Sequence, residues 1–325
     1  PWTGYADAHR LFLPLNEYLS GDFLEEQEAA SVGLSHSSYR YNGRQLAIAI
    51  DAAAPVASYR PDLMAEFRRE PPQTWPDLME LASLGVVITS GVPIDLLMKF
   101  YMFCLFQDAE LFGSDEQVVP EEIGVSALME LHELMSLLPP ECLHWNPISV
   151  YEMMTTTDRY IYCPFAYGYS NYSRPGYSQR PLVFTEMAEY KNSQLPKTTL
   201  GGAGLALAKR AESRDILLAY LRFVANRECQ QTLYFESGGQ PAHRSVWGDP
   251  EVNQRCANFF RNTLAPLDRA YLRPRYAGYI GFQDWAGLVI RDYLLNKTPE
   301  RQVIQQLNSL YSHSRSGNGT HVNTP

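Results

Sequence analysis

The sequence predicts an α/β protein built as two bodies. Three observations carry that expectation. The chain has 325 residues, 45% of them hydrophobic, which is ample for a sizeable core and suits two domains better than one. Short apolar runs of strand character alternate with longer helical patterns, as in α/β architectures. A proline-bearing link, Ala52-Ala53-Ala54-Pro55, joins two strands in line, as a chain passing between two bodies requires.

Residues 11–28 read as loop and short helices. Tyr41-Asn42-Gly43-Arg44 is a hairpin signature, because Asn-Gly supplies the positive φ angles of a tight turn, and it feeds a strand at 46–50. A second strand follows at 56–59. The helix expected over 61–69 opens on Pro61 with acidic Asp62 in its first turn. Thr74 is a good N-cap for a helix over 75–83, with Pro76 early and Asp77 in the first turn. Val86-Val87-Ile88 is a buried strand candidate. Helices are predicted at 94–106, 120–136 and 148–155, and a strand at 160–163.

Residues 165–180 are almost entirely Tyr, Gly, Ser, Asn, Arg and Pro, and no packing period fits them. Such a segment is a wall of binding aromatics or a surface loop stacked on itself; recognition is the favoured reading. Tyrosine, at 21 copies against 14 of Phe, offers a flat apolar face plus a hydroxyl. Thr199-Leu200-Gly201-Gly202-Ala203-Gly204 precedes a strand at 205–208 and a helix at 213–224. Its glycines lack phosphate-loop spacing and come before the strand, not between strand and helix. Helices are expected again at 229–236, 252–261, 282–295 and 300–311, and a disordered tail over 316–325.

Composition excludes several function classes. With 27 Lys+Arg against 36 Asp+Glu, a net charge of -9 and no basic run beyond two residues, the chain is no general binder of nucleic acid. No stretch of about twenty apolar residues exists to span a bilayer. Five cysteines form no CxxC pair or zinc-like Cys/His spacing, so no metal and no cofactor is expected. Their odd number fits one or two disulfides with a free thiol, or none. The first residues, Pro1-Trp2-Thr3-Gly4, contain no readable leader, as would a mature chain.

The order of segments resembles the bacterial extracellular solute-binding proteins, family 1, which serve ABC importers. The resemblance rests on Tyr41-Asn42-Gly43-Arg44 leading to Ile50-Asp51, on Ser58-Tyr59-Arg60-Pro61-Asp62-Leu63, and on Pro72-Gln73-Thr74-Trp75. It continues through Leu200-Gly201-Gly202 and Glu236-Ser237-Gly238-Gly239-Gln240-Pro241-Ala242, so that it spans most of residues 10–311. Each motif is loose; their shared order is the stronger signal. The family implies a two-lobed type II periplasmic-binding fold. Lobe one would comprise 1–53 with 204–250, lobe two 54–203 with 251–315, with hinges near 51–55 and 201–204. Relatives carry a strand–helix–strand unit ahead of the segment that resembles residues 1–15, so the first lobe is expected to be N-terminally incomplete, exposing a sheet edge and apolar surface.

The resemblance further implies non-enzymatic capture of a small polar solute, a sugar or sugar derivative, in an interlobe cleft. Delivery would be to the permease subunits of an ABC importer, by a monomer in the periplasm or outside the cell. Closure around a solute needs groups from both lobes, and sugars want flat aromatic faces with carboxylates, amides and guanidiniums for their hydroxyls. From the first lobe the candidates are Trp2, Tyr5 and Asp7, in a loop at the start of the chain, and Asp51. From the second they are Asp95, the wall Phe165, Tyr167, Tyr169 and Asn171, and then Arg275 and Tyr279. Gly202 would permit close backbone approach, with Arg174, Gln240 and His243 as weaker choices. Against each stands a structural role: Trp2 covering a strand end, Asp51 or Asp95 capping backbone, Gly202 serving only as hinge.

Two rivals remain open. A sensory or orphan module would bind without a transporter. A glycoside-processing enzyme would need two facing carboxylates, but Asp51 and Asp95 would sit on opposite lobes whose separation changes; no GxSxG elbow exists for a serine hydrolase. Asn171-Tyr172-Ser173 and Asn318-Gly319-Thr320 match a glycosylation pattern that chance explains better.

Overall fold

The computed structural model describes residues 1–316. Seven strands occur among them: β1 (Arg40–Tyr41), β2 (Arg44–Gln45), β3 (Ile48–Ala49), β4 (Pro55–Tyr59), β5 (Tyr162–Tyr167), β6 (Val183–Thr185) and β7 (Gly204–Leu205). They form three small antiparallel sheets: β1-β2, β3-β7 and β5-β4-β6. The first is the Asn-Gly hairpin, with Asn42 at φ 48° and Gly43 at φ 72°, the left-handed pair that such a turn demands. In the third, β4 is central and buried for four of its five residues, consistent with a run free of charge until Arg60.

Helices surround this three-stranded sheet. In Pro93–Leu105 every residue from Asp95 to Cys104 is buried, as expected of a helix apolar on all faces. It packs against Glu121–Leu137 and Tyr279–Asn296, and Glu300–Arg315 completes the group. Trp75–Ser83 starts at a full capping box, Thr74 with Asp77, which satisfies two N-terminal donors at once. One extensive core, running from Val32 to Tyr311 in sequence, unites these elements. A second, small core gathers Leu15, Leu19, Leu24, Ile48, Leu207, Leu221 and Ala225, and ties the Gly21–Ala30 and Arg214–Ala225 helices to β3 and β7.

Several elements differ from the sequence expectation. Residues 2–8 are a helix, Trp2–Ala8, not a loop. The 86–88 segment makes a single parallel bridge, Val87 to Tyr162. The strand expected at 160–163 runs instead over Tyr162–Tyr167 and takes in the start of the tyrosine-rich segment, because Ala166 and Tyr167 pair with Val56 and Pro55. The helix expected over 252–261 is two, Pro250–Gln254 and Phe259–Asp268, broken where Ala257 and Asn258 take φ 47° and 60°. All five cysteines are buried and unpaired. The tail and the Asn318 motif lie, past Ser316, outside the described residues. No described helix is long and apolar enough to cross a membrane.

Candidate functional site

Three segments lie side by side: Ala53 bridges Gly201, and Asp51 bridges Pro241, both antiparallel. Gly202 sits at φ +122°, and a Cβ there would lie 2.2 Å from the Asp51 carbonyl oxygen. Only glycine fits this close approach. Nearby, β5 leaves its sheet at Tyr167 and continues through Gly168 and Tyr169 into the Ser170–Ser173 turn. Between these segments opens a cleft of about 420 Å³, within the range of small-molecule sites. Asp51, Ala53, Gly201, Gly202, Gly238 and Gln240 line one side, Tyr167 to Asn171 another, and Ile94 and Arg273 complete it.

Each wall is held by contacts of its own. Tyr167 sends its hydroxyl to Thr199 (2.9 Å to Oγ1) and leans its ring on Gly201. It therefore presents a ring but no free hydroxyl. Tyr169 is 40% exposed, and its hydroxyl makes no hydrogen bond among the described residues. The Asn171 amide lies against Gly238, whose φ of +95° and closeness to that amide both favour glycine. Gln240 is engaged at both ends: its Oε1 accepts from Ser170 N (2.7 Å) and its Nε2 donates to the Ala52 carbonyl (3.3 Å).

The charged groups are few. Oδ2 of Asp51 accepts from Tyr234 Oη (3.2 Å) and Gln240 N (3.1 Å), leaving Oδ1 without a partner among the described residues. Burial raises this carboxyl above the usual carboxylate range, with those two hydrogen bonds opposing. Arg273 Nη1 donates to Gln283 Oε1 (2.8 Å) and Nη2 to the Leu200 carbonyl (3.4 Å), while Nε is buried and unpaired. The guanidinium is thus held at both Nη atoms, and its Nε, without a partner among the described residues, is shut away from solvent. Behind Ile94, Asp95 is buried with Oδ2 unpaired; burial raises its pKa, against Lys99, Ser90 and Arg273. Lys99, one helical turn on, donates to Ser90 O (2.6 Å) and Oγ (3.2 Å).

Of the residues nominated from sequence, the cleft brings together Asp51, Tyr167, Tyr169, Asn171, Gly202 and the weaker choice Gln240, with Asp95 next to its lining residue Ile94. It does not include the others. Phe165 is buried in the large core, edge-on to Phe103, because its position in β5 turns it inward. Tyr279 is fully buried beside Tyr101 (Oη to Oη 3.3 Å). Arg275 spends Nη1 on the carbonyls of Ser37, Ser38 and Arg40 (3.1, 3.2 and 2.6 Å), tethering the chain before the hairpin. Trp2 is 59% exposed and edge-on to Tyr5, which packs on His9. Asp7 is ion-paired to Arg44. Arg174 lies over the Phe235 ring, 4.0 Å from its centroid. Arg273 was missed although it stands in the same Arg-Pro-Arg triplet as Arg275; Gln283 and Leu200, distant in sequence, select it. A larger hollow near His9–Leu11 and Ala208–Arg210 lacks aromatic walls and a carboxylate.

No known protein family profile matches the chain, and no curated protein matches it. Solved structures do. An ABC transporter solute-binding protein from Agrobacterium radiobacter K84, in complex with ribitol, superposes with a TM-score of 0.80 at 16% identity, covering 96% of this chain and 82% of its own. Maltose-bound MalE3 of T. maritima gives 0.78 at 18%, covering 95% and 81%. A solute-binding protein from Thermotoga lettingae TMO bound to α-D-tagatose gives 0.78 at 14%, covering 95% and 83%. The chain therefore has the two-lobed α/β fold of these binding proteins.

Proposed function

We propose that this chain is a non-enzymatic solute-binding protein that captures a sugar or sugar derivative in the cleft for delivery to an ABC importer. The observation that carries the reading is the convergence in one cleft of an aromatic face with a free hydroxyl (Tyr169), a carboxylate oxygen without a partner among the described residues (Asp51 Oδ1) and a guanidinium (Arg273). Aromatic faces suit sugar C–H surfaces, and an acceptor and a donor suit hydroxyls, which both give and receive hydrogen bonds. The fold supports it, since the structural neighbours hold maltose, ribitol and tagatose.

On this reading the lobes are 1–53 with 204–250 and 54–203 with 251–315, and closure brings Asp51 toward the tyrosine wall. The ligand set is Asp51, Tyr167, Tyr169, Asn171, Gly202 and Arg273. Work is done as a monomer in the periplasm or outside the cell, with importer permease subunits as partners. A thermal-shift screen over maltose, ribitol, tagatose and related sugars tests the proposal. A bound sugar raises the melting temperature by mass action, by an amount that grows with its concentration; a flat response across the panel would contradict it.

A further inference from the structure

We infer that the cleft selects uncharged ligands, and that Asp51 and Arg273 set this selectivity by cancelling each other. The inference rests on the sugar-capture reading and narrows it: sugar acids and amino sugars are refused. Among the described lining residues, Asp51 is the one carboxylate and Arg273 the one cation. Both line the same cleft, and the nearby Tyr39 phenol, raised first by burial, is pushed further up by Asp51 and down by Arg273. The next charges out are Asp95 and Lys99, which lie one turn apart on Pro93–Leu105 and are both buried. One is an acid and the other a base, each acting on the other electrostatically, so this second pair is also of opposite sign.

A cleft so balanced has one acceptor edge and one donor edge to offer, and no net charge. A hydroxyl answers either edge. A carboxylate suits Arg273 but adds a negative charge beside Asp51, and an ammonium suits Asp51 but crowds Arg273. In a site drawn out of water such a surplus charge is poorly compensated. Rejection by an unpaired or repelled group is how binding sites discriminate between near-isosteres.

The test is a calorimetric comparison of matched probes on the full chain: D-glucose with D-glucuronate and D-glucosamine, and ribitol with ribonate. The inference predicts that the neutral member of at least one set binds about tenfold or more tighter than its charged counterparts. Asp51→Asn should narrow the gap to the carboxylate probe, and Arg273→Gln the gap to the amine. Arg273→Lys keeps the charge and should keep the ranking, which separates charge from the Gln283 and Leu200 bonds should Arg273→Gln misfold. A charged probe binding as tightly as its neutral partner overturns the inference and leaves sugar capture standing. Silence from every probe, including the maltose, ribitol and tagatose of the wider screen, overturns both.

Discussion

The large core closes around the Pro93–Leu105 helix on every side, whereas the small core leaves the outer face of Arg214–Ala225 uncovered. There Ile216, Tyr220 and Phe223 are 71%, 57% and 49% exposed, and their spacing puts them on one face. The opposite face supplies Leu221 and Ala225 to the small core. Each core also supports a different part of the cleft. The tyrosine wall grows from β5, which the large core holds; Asp51 follows β3, which the small core holds through Ile48. Stability is seldom uniform across such a molecule, and here the thinner packing stands behind the carboxylate, not the aromatics.

The comparison can be broken most forcefully at its strong end. Phe100 is fully buried, and Phe100→Ala should cost about 3–5 kcal/mol, lowering the denaturation midpoint of the whole protein. Leu221→Ala should fall near the lower end of the range for such truncations, about 2 kcal/mol. Its signature is local: faster hydrogen exchange around β3 and β7, with the amides of Pro93–Leu105 unchanged. Equal acceleration in both places would mean that the two cores unfold as one.

A third prediction uses pH. His36 is buried, with neither ring nitrogen hydrogen-bonded among the described residues, and burial lowers its pKa to about 4. The unfolded chain, at the ordinary value of 6.5, takes up the proton first. Stability contributed by keeping this ring neutral is therefore full above pH 6.5 and is lost as pH falls from there toward 4. His36→Phe should flatten that limb of the melting temperature against pH; an unchanged slope would assign it to other groups. Smallest of all, Ile216→Ser should shift stability by no more than about 0.5 kcal/mol, since so little of that side chain is covered. A loss several times larger would show that this face is packed in solution.

Much of the architecture was legible in the sequence because local chemistry dictated it: the Asn42-Gly43 turn, the Thr74 cap, the helix expected over 94–106 and the close-approach glycine at 202. The cleft was legible in part. Tyr167 and Tyr169 were found because a segment with no packing period needs another purpose. Phe165 was misplaced because only the pairing of β5 with β4 decides which residues of that segment turn inward. Arg275 and Tyr279 were favoured over Arg273 for a similar reason. Within a short stretch all three look alike, and partners brought from 37–40, from Tyr101 and from Gln283 separate the tethers from the lining residue. Tertiary contacts of that range leave no local mark.

The account turns on the free ring and hydroxyl of Tyr169 meeting a sugar in the cleft. Tyr169→Ala removes that face without touching the Tyr167–Thr199 bond or the Gln240 bridge, and gives up one edge-on contact with Tyr151 at the margin of the large core. Calorimetric titration of this variant and the parent protein, with whichever of maltose, ribitol or tagatose the parent binds, is the direct measurement. The expected result is affinity weakened by about tenfold or more, with the free protein folded as before and its melting temperature lowered only by the loss of the Tyr151 contact. Undiminished affinity in the variant would contradict it.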